Sequence, residues 1–442
     1  MMERGQESGL SWLGIVRLGL VQSALGSIVV LTTSTLNRVM AVELALPVAL
    51  PAALVAWHYV VQLSRPRWGH GSDEGRMRTP WIIGGMATLA LGALMATNAT
   101  ALMAVSTIGG IALAILAFTM IGAGVGAAGT SLLALLATRV APQRRPAAAA
   151  ITWIMMIVGI VLTAGIGGGL LDPFSMARLS LVASGVAFIA FVVTLLAVWR
   201  MEPSAPAQVM VSAPNTPFRE ALKETLADPK ARLFAVFVLV SMVAYSTQEL
   251  ILEPFAGLVF AMTPGQSTQM SGIQNGGVLL GMVLVGALGG FIGGRGRGWM
   301  RGWTIAGCVG SAGMLGLLAA AAAIGPSWPI LPTVFGLGFF NGMFAVAAIG
   351  SMMGLAGEGD GPREGIRMGV WGAAQALGFA AGGFFGAIGV DLGRGLMGAD
   401  APAFGLVFAL EAGLFLASAI IASRIGAPAA RPALSGARHV QA

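Results

Sequence analysis

The sequence predicts an all-α polytopic membrane protein, with about twelve transmembrane helices in two pseudo-symmetric six-helix halves. Three observations carry that expectation. Of the 442 residues, 56% are hydrophobic and only 10% are charged, against roughly a quarter charged in soluble domains. Apolar stretches of about 20 residues, long enough to cross a hydrocarbon core, recur along the whole chain. Glycine is abundant, at 65 residues, as suits helices that must approach closely where lipid supplies no hydrophobic drive between them.

The spans read in order as 14–37, 46–64, 80–103, 107–138, 148–170, 178–200, 232–260, 267–293, 302–324, 328–356, 366–389 and 403–425. With both termini on the cytoplasmic side, every one of the 25 Lys and Arg residues except Arg38, Arg178 and Arg394 falls on the inner side, the asymmetry of the positive-inside rule. The net charge of +7 therefore reads as topology, and nucleic acid is excluded as a partner. Glu3 and Arg4 at the N-terminus argue against a cleavable signal peptide. The single cysteine, Cys308, allows no intrachain disulfide.

Domain boundaries follow. An N-terminal six-helix half occupies 1–200 and a cytoplasmic linker 201–231. A C-terminal six-helix half occupies 232–425, and 426–442 is expected to be a disordered tail. In the linker, Phe218, Leu222 and Leu226 recur every four residues behind Thr216 and Pro217, which predicts a short amphipathic helix. The halves echo each other: Arg17-Leu18 opens span one as Arg232-Leu233 opens span seven, and the spacing from Arg145 to Trp153 recurs from Arg363 to Trp371. A major facilitator architecture, two similar halves around a midplane site, leaves such a repeat.

Ionisable and polar groups inside the bilayer are costly, and so are functional candidates. Asn37, Arg38 and Glu43 close span one. The repeat maps Arg38 onto Glu253 of span seven, and the two are expected to pair across the halves as an outer gate, the plainer reading being an interfacial charge. In span seven Glu249 and Glu253 are four apart on one helix face, with Gln248 adjacent. Glu249 is a candidate proton carrier or a packing carboxylate, roughly 25 Å along the helix from Arg232; Pro254 is expected to break the helix. In span two His58 and Gln62 share a face, and His58 is either a packing group or an axial ligand for a chlorin magnesium. No second His supports an ordinary metal site. The loop after span two carries Gly69, Asp73, Gly75, Arg76 and Arg78, similar to a major facilitator loop motif. There Asp73 is expected to cap a helix or bind an Arg at an inner gate. Motifs of nucleophilic, phosphate-cradling or dinucleotide chemistry are missing, so an enzyme is not expected.

The strings TLNRVMAVEL, QLSRPRWGHGSDEGRMRTPWIIGGM and QELILEPFAGLVFAMTPGQSTQMSGIQNGGVLLGM resemble the bacteriochlorophyll delivery family of the major facilitator superfamily, the PucC-type light-harvesting complex assembly proteins of phototrophic bacteria. The version HYVVQLSRPRWG looks closest to a subgroup historically called a bacteriochlorophyll synthase chain. The resemblance implies a multi-pass protein of the bacterial inner (intracytoplasmic) membrane that supplies bacteriochlorophyll to light-harvesting or reaction-centre complexes. Bacteriochlorophyll or a precursor would be cargo, with no tightly bound cofactor. Light-harvesting or reaction-centre polypeptides and pigment-synthesis enzymes are the implied partners, alongside the lipid bilayer. A groove lined by the glycines of spans eight and eleven would suit a chlorin, with Trp371 stacking and Gln274, Asn275 and Gln375 bonding ring carbonyls. A proton-coupled transporter of a small solute and a non-transporting scaffold for light-harvesting polypeptides are the alternatives.

Overall fold

A computed structural model describes residues 10–64, 77–140, 144–202, 227, 229–291, 297–356 and 364–425. Among these residues the secondary structure is helical throughout. The helices are α1 (Trp12–Glu43), α2 (Ala49–Gln62), α3 (Thr79–Met103), α4 (Thr107–Arg139), α5 (Arg145–Leu171), α6 (Met176–Val198), α7 (Pro229–Phe260), α8 (Pro264–Phe291), α9 (Arg297–Ile324), α10 (Ile330–Ala356), α11 (Glu364–Met397) and α12 (Asp400–Arg424). Eleven are long and apolar enough to cross a bilayer. The exception is α2, with 14 residues, about 21 Å at 1.5 Å per residue. The linker helix expected within 201–231, Asp73, Arg76 and the tail lie outside the described residues.

Serines set several starts. Ser11, Ser106 and Ser175 accept from the backbone N–H three residues on, at 3.2, 3.4 and 3.1 Å, and so cap α1, α4 and α6. The start of α3 is capped from a distance: the Glu202 carboxylate, just past α6, accepts from the N–H groups of Arg78 and Thr79.

Packing reveals the symmetry. In the first half α1 packs on α5 and α6, α3 on α4 and α6, and α2 on α4. Six helices later the same scheme recurs: α7 on α11 and α12, α9 on α10 and α12, and α8 on α10. Between the halves α5 meets α8 and α11 meets α2, two contacts that the same shift exchanges, while α1 meets α7 near the axis. This is a two-fold pseudo-symmetric bundle of two six-helix halves.

Helix α11 runs to Met397 instead of stopping near 389, and two further features of the helices differ from the sequence expectation. Helix α1 runs to Glu43 instead of stopping near 37, through π-helical turns at Leu31–Thr35 and Val39–Glu43. Helix α7 runs unbroken through Pro254 to Phe260. In both cases tertiary partners satisfy groups that the sequence alone leaves orphaned.

Several glycines of α8 and α11 are used in helix packing, while Gly276 and Gly286 of α8 face open space. A Cβ on Gly277 or Gly281 would strike the carbonyls of Phe335 or Phe339 on α10, and one on Gly338 or Gly342 would strike those of Gln274 or Val278 on α8. These reciprocal small-xxx-small faces bring the two backbones together. Gly378 and Gly382 of α11 lie likewise against the backbone of α7, while a Cβ on Gly383 or Gly386 would strike the side chain of Leu250 or Thr247. Gly84 on α3 has nothing within 4 Å. Gly338→Ala or Gly342→Ala should therefore cost about 1–3 kcal/mol through overpacking, while Gly84→Ala should be neutral or stabilising by up to about 1 kcal/mol. Thermal unfolding of the purified variants checks this, and equal effects at the three positions would contradict the packing.

Candidate functional site

The halves are tied together at the distal end of the bundle, the end away from the N-terminus. Pro254 has no N–H, so the Leu250 carbonyl one turn earlier has no partner within its own helix. Asn37, 0% exposed, reaches across from α1 and donates Nδ2–H to that carbonyl at 2.6 Å. Next to it Arg38, only 2% exposed, donates to the Met262 carbonyl at 2.5 Å beyond the end of α7. Its guanidinium lies over Gly257, where a Cβ would stand 3.0 Å from Nη2. The hydroxyls of Thr35 and Thr268 meet at 3.0 Å between α1 and α8.

Arg38 and Glu253 lie near enough for their charges to act on one another, but the expected direct ion pair does not form. Arg38 pairs with Glu43 on its own helix, because a π-helical turn brings residues five apart onto one face. Glu253, also buried, accepts from Ser271 at 2.6 Å and Ser267 at 3.4 Å, both on α8. The repeat placed both charges at the α1–α7 contact and misassigned their partners.

Two carboxylates that the sequence reading passed over complete this closure. Asp391 near the end of α11 accepts from the N–H groups of Val48 and Ala49, at 3.1 and 2.7 Å, and so caps α2. Asp172, just past α5, accepts from the Thr263 hydroxyl at 2.9 Å. Thr263 in turn caps α8, in a reciprocal box with Gln266. Under the pseudo-symmetry α11 corresponds to α5 and α2 to α8. The same device, an acid at the end of one helix seated on a helix N-terminus of the other half, thus occurs twice. Asp172 and Asp391 were legible only as loop acids, since their targets are set by the inter-half contact.

Nearer the middle, the chain's two tyrosines come together across the halves. Tyr59 of α2 and Tyr245 of α7 both pack on Phe379 of α11, with ring centroids 5.5 and 5.8 Å away, and each of the three is half-buried. The Tyr245 hydroxyl interacts with Glu249 one turn on. Gln375, half-buried, lies one turn before Phe379 on α11. Half-buried Asn275 turns its Nδ2–H back to the Ser271 carbonyl at 2.9 Å, and Gln274 is buried where α8 meets α10.

Other candidates are placed elsewhere. His58 is 1% exposed, with Nδ1 2.6 Å from the Val55 carbonyl and its ring 4.1 Å from that of Tyr59. Gln62 is also buried. Gln248 is buried on α7, its backbone beside the buried Glu411 of α12. Glu411 was visible in sequence as the one acid in the apolar run FALEAGLF and was missed. Arg78 donates from Nη1 to the Ala134 carbonyl at 2.9 Å, on α4. Trp371 lies on α11, its side chain outside the described residues.

This arrangement of twelve helices in two halves, closed at one end, is that of major facilitator transporters. Similar solved structures are the nucleoside transporter NupG (TM-score 0.67, 13% identity, 94% of this chain and 99% of that one) and a bacterial homologue of the human lysosomal transporter Spinster (0.64, 14%, 95% and 96%). At these identities the likeness is one of fold. The profile of the PUCC protein family matches residues 35–430, and the chain belongs to that family. A relative from Rhodobacter capsulatus, "Bacteriochlorophyll synthase 44.5 kDa chain", is 52% identical over 96% of this chain and 97% of its own length. "Protein PucC" of Cereibacter sphaeroides is 32% identical over 92% of this chain and 91% of its own.

Asn37→Ala should cost about 1–3 kcal/mol by leaving the Leu250 carbonyl buried and unpaired. Pro254→Ala should recover most of that loss, because the restored N–H supplies the intrahelical bond. A double-mutant cycle on unfolding free energy measures the coupling; additive costs would contradict the tie.

Proposed function

We propose that the chain is a membrane carrier or assembly factor that supplies bacteriochlorophyll to light-harvesting or reaction-centre complexes of a phototrophic bacterium, and that it is not an enzyme. Both termini lie on the cytoplasmic side in this reading. Family membership supports it, as does a relative named for bacteriochlorophyll that matches nearly end to end. The observation within this chain that carries the reading furthest is the aromatic seat of Tyr59, Tyr245 and Phe379 between the halves. Aromatic faces suit a flat conjugated ring, and Gln375, one turn before Phe379, is a donor for a ring carbonyl. His58, behind this seat, would have to leave its packed position to reach a magnesium.

A second reading, proton-coupled transport of a small solute, is favoured by Glu249 beside Tyr245 in the same seat.

Deletion of the gene should remove near-infrared absorbance of the complexes while pigment precursors persist. Phe379→Ala should lower the pigment that co-purifies with the protein several-fold, while Glu249→Gln leaves it unchanged. Colourless wild-type protein from a pigment-making host would overturn the pigment reading. Altered solute tolerance with normal complexes would favour the second.

A further inference from the structure

At the membrane boundary on the N-terminal side, a groove of about 410 Å³ opens between α1 and α6, lined by Arg17, Leu196, Trp199 and Arg200. Arg17 lies in the second turn of α1 and donates from Nη2 to the carbonyls of Leu196 and Trp199, at 3.2 and 2.5 Å. It thereby satisfies orphan carbonyls at the end of α6, where a cation is also favoured by the helix dipole. These bonds hold the guanidinium in place while its other N–H groups make no bond to the described residues.

Arg200 makes no hydrogen bond or ion pair with the described residues at all. Its backbone takes φ 54°, a left-handed conformation uncommon outside glycine, which ends α6 and leaves the residue at the groove. The nearest acid in sequence, Glu202, is committed elsewhere, since both its oxygens cap the start of α3. Two guanidiniums thus share an open groove with no carboxylate between them, an arrangement that calls for an anion from outside the chain.

The surroundings say which kind. Leu13 and Leu20 share the helix face of Arg17, and both are exposed, as is Leu196 on α6. Exposed apolar side chains beside the groove belong against acyl chains. Trp199, 64% exposed, sits where interfacial indoles lie at headgroup level.

We propose that this groove binds the phosphate headgroup of an anionic phospholipid, with Arg17 and Arg200 on the phosphate and the acyl chains along the exposed faces of α1 and α6. Nothing in this assignment depends on the cargo reading above.

Native mass spectrometry tests it on full-length protein extracted from bilayers of phosphatidylcholine with a minor share of phosphatidylglycerol. Wild-type protein should retain phosphatidylglycerol in preference to phosphatidylcholine. Arg200→Gln, which removes no hydrogen bond or ion pair within the described fold, should lower that retention about fivefold, and Arg200→Glu should abolish the preference. Arg17→Gln should do likewise, and its thermal unfolding reports any loss at the end of α6. Equal retention of the two lipids, or Arg200 variants that behave as wild type, would overturn the site. Displacement of the lipid by inorganic phosphate alone at matched concentration would overturn the lipid assignment in favour of a free anion.

Discussion

A proline in a membrane helix leaves a carbonyl without its donor, and the hydrocarbon core supplies no water to replace it. The fold meets this at Pro254 by bringing Asn37 across from the other half. Much of the distal architecture follows. For Asn37 and Arg38 to reach α7, α1 must continue past the point where its apolar run ends, and it does so through two π-helical turns. The second of these swings Glu43 onto Arg38, so the cation enters the contact already paired and also donates to the Met262 carbonyl. Gly257 supplies the notch that admits it.

Around this tie the acid-on-helix-start contacts of Asp391 and Asp172 sit at pseudo-equivalent places. They are not identical: Asp391 caps α2 directly, while Asp172 acts through the Thr263 hydroxyl. The central contact is likewise unequal, with Asn37 and Arg38 contributed by the first half and backbone carbonyls by the second. Away from this closure the halves meet through apolar packing, as where Ile157 of α5 meets Val278 and Met282 of α8. The aromatic seat of Tyr59, Tyr245 and Phe379 also lies between the halves, and under the proposed function it is where a carried ring would be held.

The helices were legible in the sequence because hydrophobic length in a bilayer is a one-dimensional property. Eleven of the twelve spans were placed within a few residues at their starts, and the repeat anticipated the two-fold packing. Partners were not legible, since they depend on which helices adjoin. Arg38 and Glu253 were placed at the right contact, yet each found its partner elsewhere, the one through a π-turn and the other through the serines of α8. Gly277, Gly281, Gly378 and Gly382 look in sequence like the lining of a groove, but glycine equally permits backbone contact, and at these positions backbone contact is what forms. Tyr245 and Phe379 gave no local signal because their relation to Tyr59 exists only across the halves. Glu411 did give one, a lone acid in an apolar run, and deserved the weight placed on Glu249.

The account rests on the distal end holding the two halves together in the resting protein. Thr35 and Thr268, whose hydroxyls meet between them, offer the most direct probe. Thr35→Cys with Thr268→Cys should cross-link under mild oxidation, and a chain cut within 203–226 should then stay one band without reductant and fall into two with it. Neither single variant should do so, since Cys308 is buried. Failure of the pair to cross-link, with folded and monodisperse protein, would contradict distal closure.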